Sequence, residues 1–551
     1  VNRASVTADV FRLVLDGRAT DALDLVTDHA GSGDDPWFLV LASFAAFMRS
    51  DYETSARLAD DALAGGGDDT ARVGALAARG LAAAGWWPGA ATTWTDAAPT
   101  TTASGDPLTE AFEQLGTLDA SPAADAVRYL VAEAALACGR LNLAASVVDA
   151  SGPVPAWPGD HPFGDLVRVH RARLLVFLGR IDDAEAIVRD LATGRRAPLL
   201  ELLVASANSL VRGNAADRGA ARRLADRVEA GDLAAPGYLS SGCRLLAAFG
   251  LTAVGDVRRS ARLVLEAGGD ERLSALTIVD RALGLELLVA LAAADADIDA
   301  AEAWADQAVH LRGHPIAGST IARLDSRVAL LAGRPREAVE LADLAVGLAT
   351  AEGRAVEAAE GEIVGSRARL SASEAGVATA RLEAAVALAE STGFRAVRMS
   401  AARELRRSGR RLRPVAGVGW PGLSARERDV ALLVAQGASN AGIARALHLS
   451  DHTVRAHVSR VLAAFGAASR LAVGEALADR VPDDGVDVSL TPRQRAVADA
   501  LARGLGNAAI ARELGISVKT VEKHLADIRS RWQVSTRGEV ARLARAATRG
   551  E

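Results

Sequence analysis

Two segments of this 551-residue sequence, beginning at Leu423 and Leu490, align without a gap at an offset of 67 residues. Matched pairs include Arg426/Arg493, Arg428/Arg495, Gly437/Gly504, Asn440/Asn507, Ile443/Ile510, Ser450/Ser517, Thr453/Thr520, Val454/Val521, His457/His524 and Arg470/Arg537. A duplication this regular means one small domain present twice, at 423–480 and 490–551, joined by a linker at 481–489.

Within each copy the local physics is legible. Ser424 or Thr491 is placed to cap a first helix that ends at Gly437 or Gly504. A hydroxyl accepts from a free helix N–H, and glycine takes the left-handed conformation that stops a helix. Asn440 or Asn507 opens a short second helix with Ile443 and Leu447, or Ile510 and Leu514, facing inward. Ser450 or Ser517 caps a third helix. Along it Val454, Val458 and Val461, or Val521, Leu525 and Ile528, recur at i, i+4 and i+7 as one apolar stripe. Its other face carries His452, Thr453, Arg455, Ala456, Ser459 and Arg460 in the first copy, and Lys519, Thr520, Glu522, Lys523, Ala526 and Arg529 in the second. A short polar and basic helix held this way suits the major groove of DNA, where base edges are read.

The run Leu-Ser/Thr-x-Arg-x-Arg, Gly-x-x-Asn-x-x-Ile-Ala and Ser-x-x-Thr-Val-x-x-His is similar to the LuxR-type four-helix family, a helix-turn-helix without a wing. The resemblance implies that the third helix is the recognition helix. Arg455, Ala456, Ser459, Glu522, Lys523 and Ala526 would then face bases, and Thr453, Lys519 and Thr520 would lie near phosphates. Arg426, Arg428, Arg470, Arg493, Arg495 and Arg537 are further candidate phosphate contacts. The fourth helix, at 469–478 or 536–546, often mediates pairing in the family. The copies are not equivalent. Ala464 and Phe465 stand where the second copy has Arg531 and Trp532, and Gly466 is replaced by Gln533. With fewer cations on its recognition helix, the first copy is expected to bind DNA weakly or to serve mainly in pairing.

Residues 1–393 show apolar positions at i, i+3, i+4 and i+7 and no alternating strand pattern, which predicts helices throughout. A Gly-x-x-x-x-Ala signature returns at Gly17/Ala22, Gly85/Ala90, Gly139/Ala144, Gly179/Ala184 and Gly333/Ala338, with looser forms at Ser50/Ser55 and Gly255/Ser260. Glycine suits the end of one helix, and the small residue lets the next helix pack closely. The closest starts fall 33–40 residues apart, and the gaps of 76 and 78 on either side of Gly255 are about two repeats each. The pattern resembles tetratricopeptide-type repeats, which stack into a right-handed superhelix because one hairpin cannot bury its own face. An arginine-rich helix and hinge at 394–422 connect this array to the duplicated domain. The fold expected is all-α: a TPR-like superhelix of helical hairpins, then two tandem four-helix LuxR-type domains. This plan resembles the C-terminal half of MalT-like regulators, without their ATP-binding domain.

Composition excludes other chemistries. The only lysines are Lys519 and Lys523, so no Walker A loop or Schiff-base lysine exists before residue 519. Gly417-Val-Gly419-Trp-Pro-Gly422 is a formal GxGxxG with no preceding strand, and reads as a hinge. Cys138 and Cys243 cannot build a disulfide framework or a thiolate metal site by themselves. His161, His170, His310 and His314 lack metal-ligand spacing. No apolar run is long enough to span a bilayer and the first residues have no signal core, so a soluble, cytoplasmic chain is expected. The net charge is −6, but 394–551 holds 27 Lys+Arg against 15 Asp+Glu, so basic charge is concentrated where DNA would be met.

The function expected is that of a DNA-binding transcriptional regulator. Its recognition helices enter double-stranded promoter DNA, and its repeats bind a protein, peptide or small-molecule effector. Trp86, Trp87, Trp94 and Trp157 are the candidate effector surface. RNA polymerase or another protein, and a second copy of the chain, are further expected partners; no cofactor, metal, membrane or enzymatic reaction is expected. The alternative is a non-catalytic interaction scaffold or anti-regulator whose C-terminal domains only pair.

Overall fold

The computed structural model describes residues 2–30, 35–85, 106–150, 157, 160–191, 194, 196–233, 237–407, 420, 423, 425–465, 467, 469–477, 490–531 and 536–549. Every regular element among them is a helix. The chain forms two compact units, Val1–Arg411 and Leu412–Glu551.

The first unit is a succession of helical hairpins, TPR-like in form. The residue ending the first helix of a hairpin is left-handed at Gly17, Gly139, Gly179, Gly255 and Gly333, with φ between 69° and 81°. The same conformation occurs at Ser50, Ala216, Ala296 and Ser373, with φ between 57° and 66°. Ala216 and Ala296 fill the two double-length gaps on either side of Gly255, and Ser373 adds a turn after Gly333. The glycine signature overlooked these three because alanine and serine also accept the left-handed state when packing holds them there, at about 1 kcal/mol or more each. The residue five positions on (Ala22, Ser55, Ala144, Ala184, Ala221, Ser260, Ala301, Ala338 or Ala378) is buried in each case. Serine hydroxyls tie some hairpins across this contact: Ser43 donates to the Ser55 carbonyl at 2.7 Å and Ser326 to the Ala338 carbonyl at 2.6 Å.

Hairpins far apart in sequence also meet. The Tyr52 hydroxyl donates to the Ala275 carbonyl at 2.8 Å, and Arg354 Nε to the Gly139 carbonyl at 2.9 Å. Two buried carboxylates are held within the array. Glu133 is fully buried and accepts from His170 Nδ1 at 2.6 Å, Arg173 at 3.0 Å and the Tyr238 hydroxyl at 2.6 Å. Burial opposes its ionisation, but Arg173 and His170 outweigh that and hold it well below the usual carboxylate range. Glu286 pairs in the same way with the fully buried Arg323 at 2.7 Å and with Arg327 at 2.8 Å.

The helix Arg395–Arg407, assigned to the linker from sequence, packs as part of the first unit. Ala396, Val397, Ala401 and Leu405 are buried, and Arg395 pairs with Asp182 at 3.1 Å. Its apolar stripe seats it there. The GxGxxG segment lies outside the described residues except for Trp420.

The second unit holds two similar cores. One gathers Val430, Val434, Ile443, Val454, Val458 and Val461; the other gathers Val497, Leu501, Ile510, Val521, Leu525 and Ile528.

Candidate nucleic-acid interface

Each copy in the second unit is built from four helices: Ala425–Ala435, Asn440–Leu447, Asp451–Ala464 and Arg470–Ala476 in the first, and Pro492–Ala502, Asn507–Leu514, Val518–Arg531 and Arg537–Arg549 in the second. Local signals place them. Thr491 and Gln494 form a reciprocal capping box. Gly437 and Gly504 end the first helices at φ +85° and +86°. The turn before the third helix uses a left-handed His448 in one copy and Gly515 in the other. Ser450 and Ser517 each accept from the backbone N–H three residues on, at 3.1 Å. Ser424 lies outside the described residues.

The third helix of each copy is divided into a buried and an open face. Val454, Val458 and Val461 are buried, while His452, Arg455, Ala456 and Ser459 are exposed and Thr453 and Arg460 half-buried. Val521, Leu525 and Ile528 are buried, while Lys519, Glu522, Lys523 and Ala526 are exposed and Thr520 and Arg529 half-buried. Each polar set therefore shares one helix face.

The charges on these faces differ. Arg455 is paired with Asp451 at 2.8 Å, and Arg460 with Glu427 at 3.2 Å. His457 sits beneath this pair; burial and Arg460 lower its pKa, opposed by Glu427. In the second copy, neither Lys519 nor Lys523 has an ion-pair partner among the described residues. Arg529 donates to the Leu525 carbonyl at 3.3 Å.

The arginines outside the third helices are largely engaged within the domains. Arg426 donates to the Leu447 carbonyl, and Arg493 to the Leu514 carbonyl at 2.6 Å. Each ties the first helix to the end of the second. Arg537 bonds Asn507 Oδ1 and, at 2.6 Å, the Leu505 carbonyl. The matching pair in the first copy is not made: Arg470 Nη2 and Asn440 Oδ1 are both buried without a hydrogen-bond partner. Arg428 lies over the Trp420 ring at 5.8 Å, and Arg495 is exposed.

Sequence reasoning did not see the contact between the copies. The Thr536 hydroxyl donates to the Gly437 carbonyl, and a Cβ on Gly437 would lie 2.4 Å from the Glu539 nitrogen. Of the four tryptophans proposed as an effector surface, Trp86, Trp87 and Trp94 lie outside the described residues. Trp157 is buried: its ring stacks on Phe163 at 3.9 Å and its Nε1 donates to Asp125 at 3.2 Å. Among the described residues no helix is long and apolar enough to cross a membrane.

The family model described as bacterial regulatory proteins, luxR family, matches residues 421–474 and 488–544. The chain is 43% identical over 72 residues to a putative HTH-type transcriptional regulator of Mycobacterium bovis, a match that covers 13% of this chain and 8% of that one. It is 38% identical over 86 residues to the transcriptional regulatory protein FixJ of Bradyrhizobium diazoefficiens, over 16% of this chain and 39% of that one. The matches thus span less than half the length of either relative. Among solved structures, the Cut9–Hcn1 complex is matched at 12% identity and TM-score 0.23, over 73% of this chain and 86% of that one. Yeast Tom70 is matched at 11% identity and TM-score 0.20, over 74% and 96%. Read with the paired capping, turn and core geometry, the family match makes residues 421–474 and 488–544 two GerE domains of the bacterial luxR regulatory family, set in tandem in an otherwise helical chain.

Proposed function

We propose that this chain is a DNA-binding transcriptional regulator whose two third helices enter the major groove of promoter DNA. The observation that carries this reading is the outward face of Val518–Arg531, where Lys519 and Lys523 stand exposed without carboxylate partners among the described residues while the opposite face is buried. Unpaired lysines release counterions when they meet phosphates, which favours binding electrostatically. Arg455 and Arg460 must first give up Asp451 and Glu427, so the second copy supplies more of the affinity. The first copy adds a second half-site, because tethering raises the effective concentration of one module beside the other. The repeats act as the regulatory part and bind an effector or another protein; a concave stack of hairpins offers such a surface.

The test is binding of the full chain to its genomic sites as a function of salt. K519A/K523A is expected to weaken binding and to flatten the salt dependence by about one unit per lost phosphate contact. Unchanged affinity in that double variant would remove the second copy from the interface. Failure of the wild-type chain to bind any genomic fragment at low salt would favour a scaffold whose C-terminal domains only pair.

A further inference from the structure

Between the two GerE copies lies a cavity of about 560 Å³, within the size range of small-molecule sites. Its lining follows the internal duplication. Gly437 and Gly504, Ser469 and Thr536, and Arg470 and Arg537 all line it, each pair related by the offset of 67 residues. The cavity is therefore lined by equivalent positions of both copies, and among the described residues no recognition-helix residue lines it.

Its charge is one-sided. Arg470 and Arg537 are the only charged residues among those lining it, and neither has a carboxylate partner among the described residues. Among the described residues Arg537 bonds neutral oxygens, those of Asn507 and Leu505. Arg470 Nη2 has no hydrogen-bond partner among the described residues. Arg470 is half-buried and Arg537 is exposed, and the desolvation each undergoes lowers its pKa. A cation drawn partly out of water without a counter-charge, as Arg470 is among the described residues, is costly, and an anion that enters offsets the cost. The backbone adds to this. Gly506 caps the eight-residue helix Asn507–Leu514 without any side-chain bond, whereas its counterpart Ser439 accepts from Gly442. The first N–H groups of that helix are thus left unsatisfied by a capping side chain at the cavity edge.

We infer that this cavity is a binding site for a small organic anion, a carboxylate or phosphate compound held by Arg470 and Arg537 between the two copies. Because both copies line it, occupancy fixes one recognition helix relative to the other. That regulatory consequence rests on the DNA-binding reading above; the anion site itself does not.

The experiment uses the full chain, with inorganic phosphate and citrate as probes and chloride balancing ionic strength. Saturable binding is read by calorimetry and by thermal shift. Two variants test the site. R470Q removes a cation whose Nη2 has no hydrogen-bond partner among the described residues. G506D places a carboxylate at the helix cap, where an added Cβ meets nothing within 4 Å. Its carboxylate caps the helix as Ser439 does in the first copy, so folding is kept while an anion is repelled. Both variants are expected to weaken probe binding at least tenfold. Absence of saturable binding by either probe, or binding unchanged in both variants, overturns the proposal. If the probes do not bind but R470Q lowers the salt slope of DNA binding by about one unit, Arg470 meets a DNA phosphate and the small-anion site is likewise overturned. If the probes bind with the expected losses while DNA does not bind at all, the site stands and the regulator reading falls.

Discussion

The hydroxyl of Thr536 donates to the carbonyl oxygen of Gly437 and joins the fourth helix of the second GerE copy to the helix end of the first. Gly437 meets this contact with φ at +85°, and no side chain fits there. Gly437→Ala should cost about 1–2 kcal/mol in backbone strain, with a further loss from the clash on Glu539. The expected outcome is a lower melting temperature for the C-terminal unit and weaker binding to a two-half-site DNA, with little change on a single half-site. Equal losses on both DNAs would mean that the contact does not couple the copies.

Arg426 and Arg493 tie helices together by bonding Leu447 and Leu514. Both are partly exposed, so each bond contributes only about 1 kcal/mol. R426A and R493A should lower thermal stability by that order and leave the salt slope of DNA binding unchanged. A slope reduced by about one unit per arginine would place them on phosphates instead.

Glu133 is the buried, shared acceptor of His170, Arg173 and Tyr238 within the repeat array. Glu133→Gln keeps the shape but leaves Arg173 without its counter-charge. A loss of about 3 kcal/mol is expected, read by chemical denaturation of the full chain. A change below about 1 kcal/mol would mean that neutral hydrogen bonds suffice there.

Ala296 holds a left-handed turn at φ 57°. Ala296→Gly relieves that strain but adds backbone freedom to the unfolded chain, so a net gain of about 0.5 kcal/mol is expected. Ala301→Gly, in the buried contact five residues on, should destabilise by about 1 kcal/mol. Melting temperatures moving in the opposite order would contradict the hairpin register.

Burial lowers the His314 pKa from 6.5 to about 4. Its neutral Nδ1 accepts from the Ile316 N–H at 3.1 Å. Between pH 6.5 and 4 the unfolded chain takes up a proton that the folded chain refuses. Stability should therefore be full above pH 6.5, fall as the pH drops toward 4, and then level, with this histidine contributing up to about 3 kcal/mol. His314→Asn should flatten that part of the stability profile; an unaltered slope would assign it to other groups.

Much of this protein was determined by its sequence alone, through short-range physics. The 67-residue duplication, the Ser450 and Ser517 caps, the Gly437 and Gly504 stops and the Val454–Val458–Val461 stripe each depend on neighbours within a few residues. Periodicity and capping rules therefore read them directly. Tertiary structure decided what depends on distant partners. It holds Ala216, Ala296 and Ser373 in turns that their residue types do not announce. It draws the helix Arg395–Arg407 into the repeat unit, turns Trp157 into the core, and spends Arg426 and Arg493 on backbone carbonyls. It also pairs Arg460 with Glu427 of another helix, whereas Arg455 pairs with Asp451 within its own helix. A guanidinium reaches a carbonyl or a carboxylate according to which helices pack beside it, and packing between helices is set by the whole core rather than by local spacing.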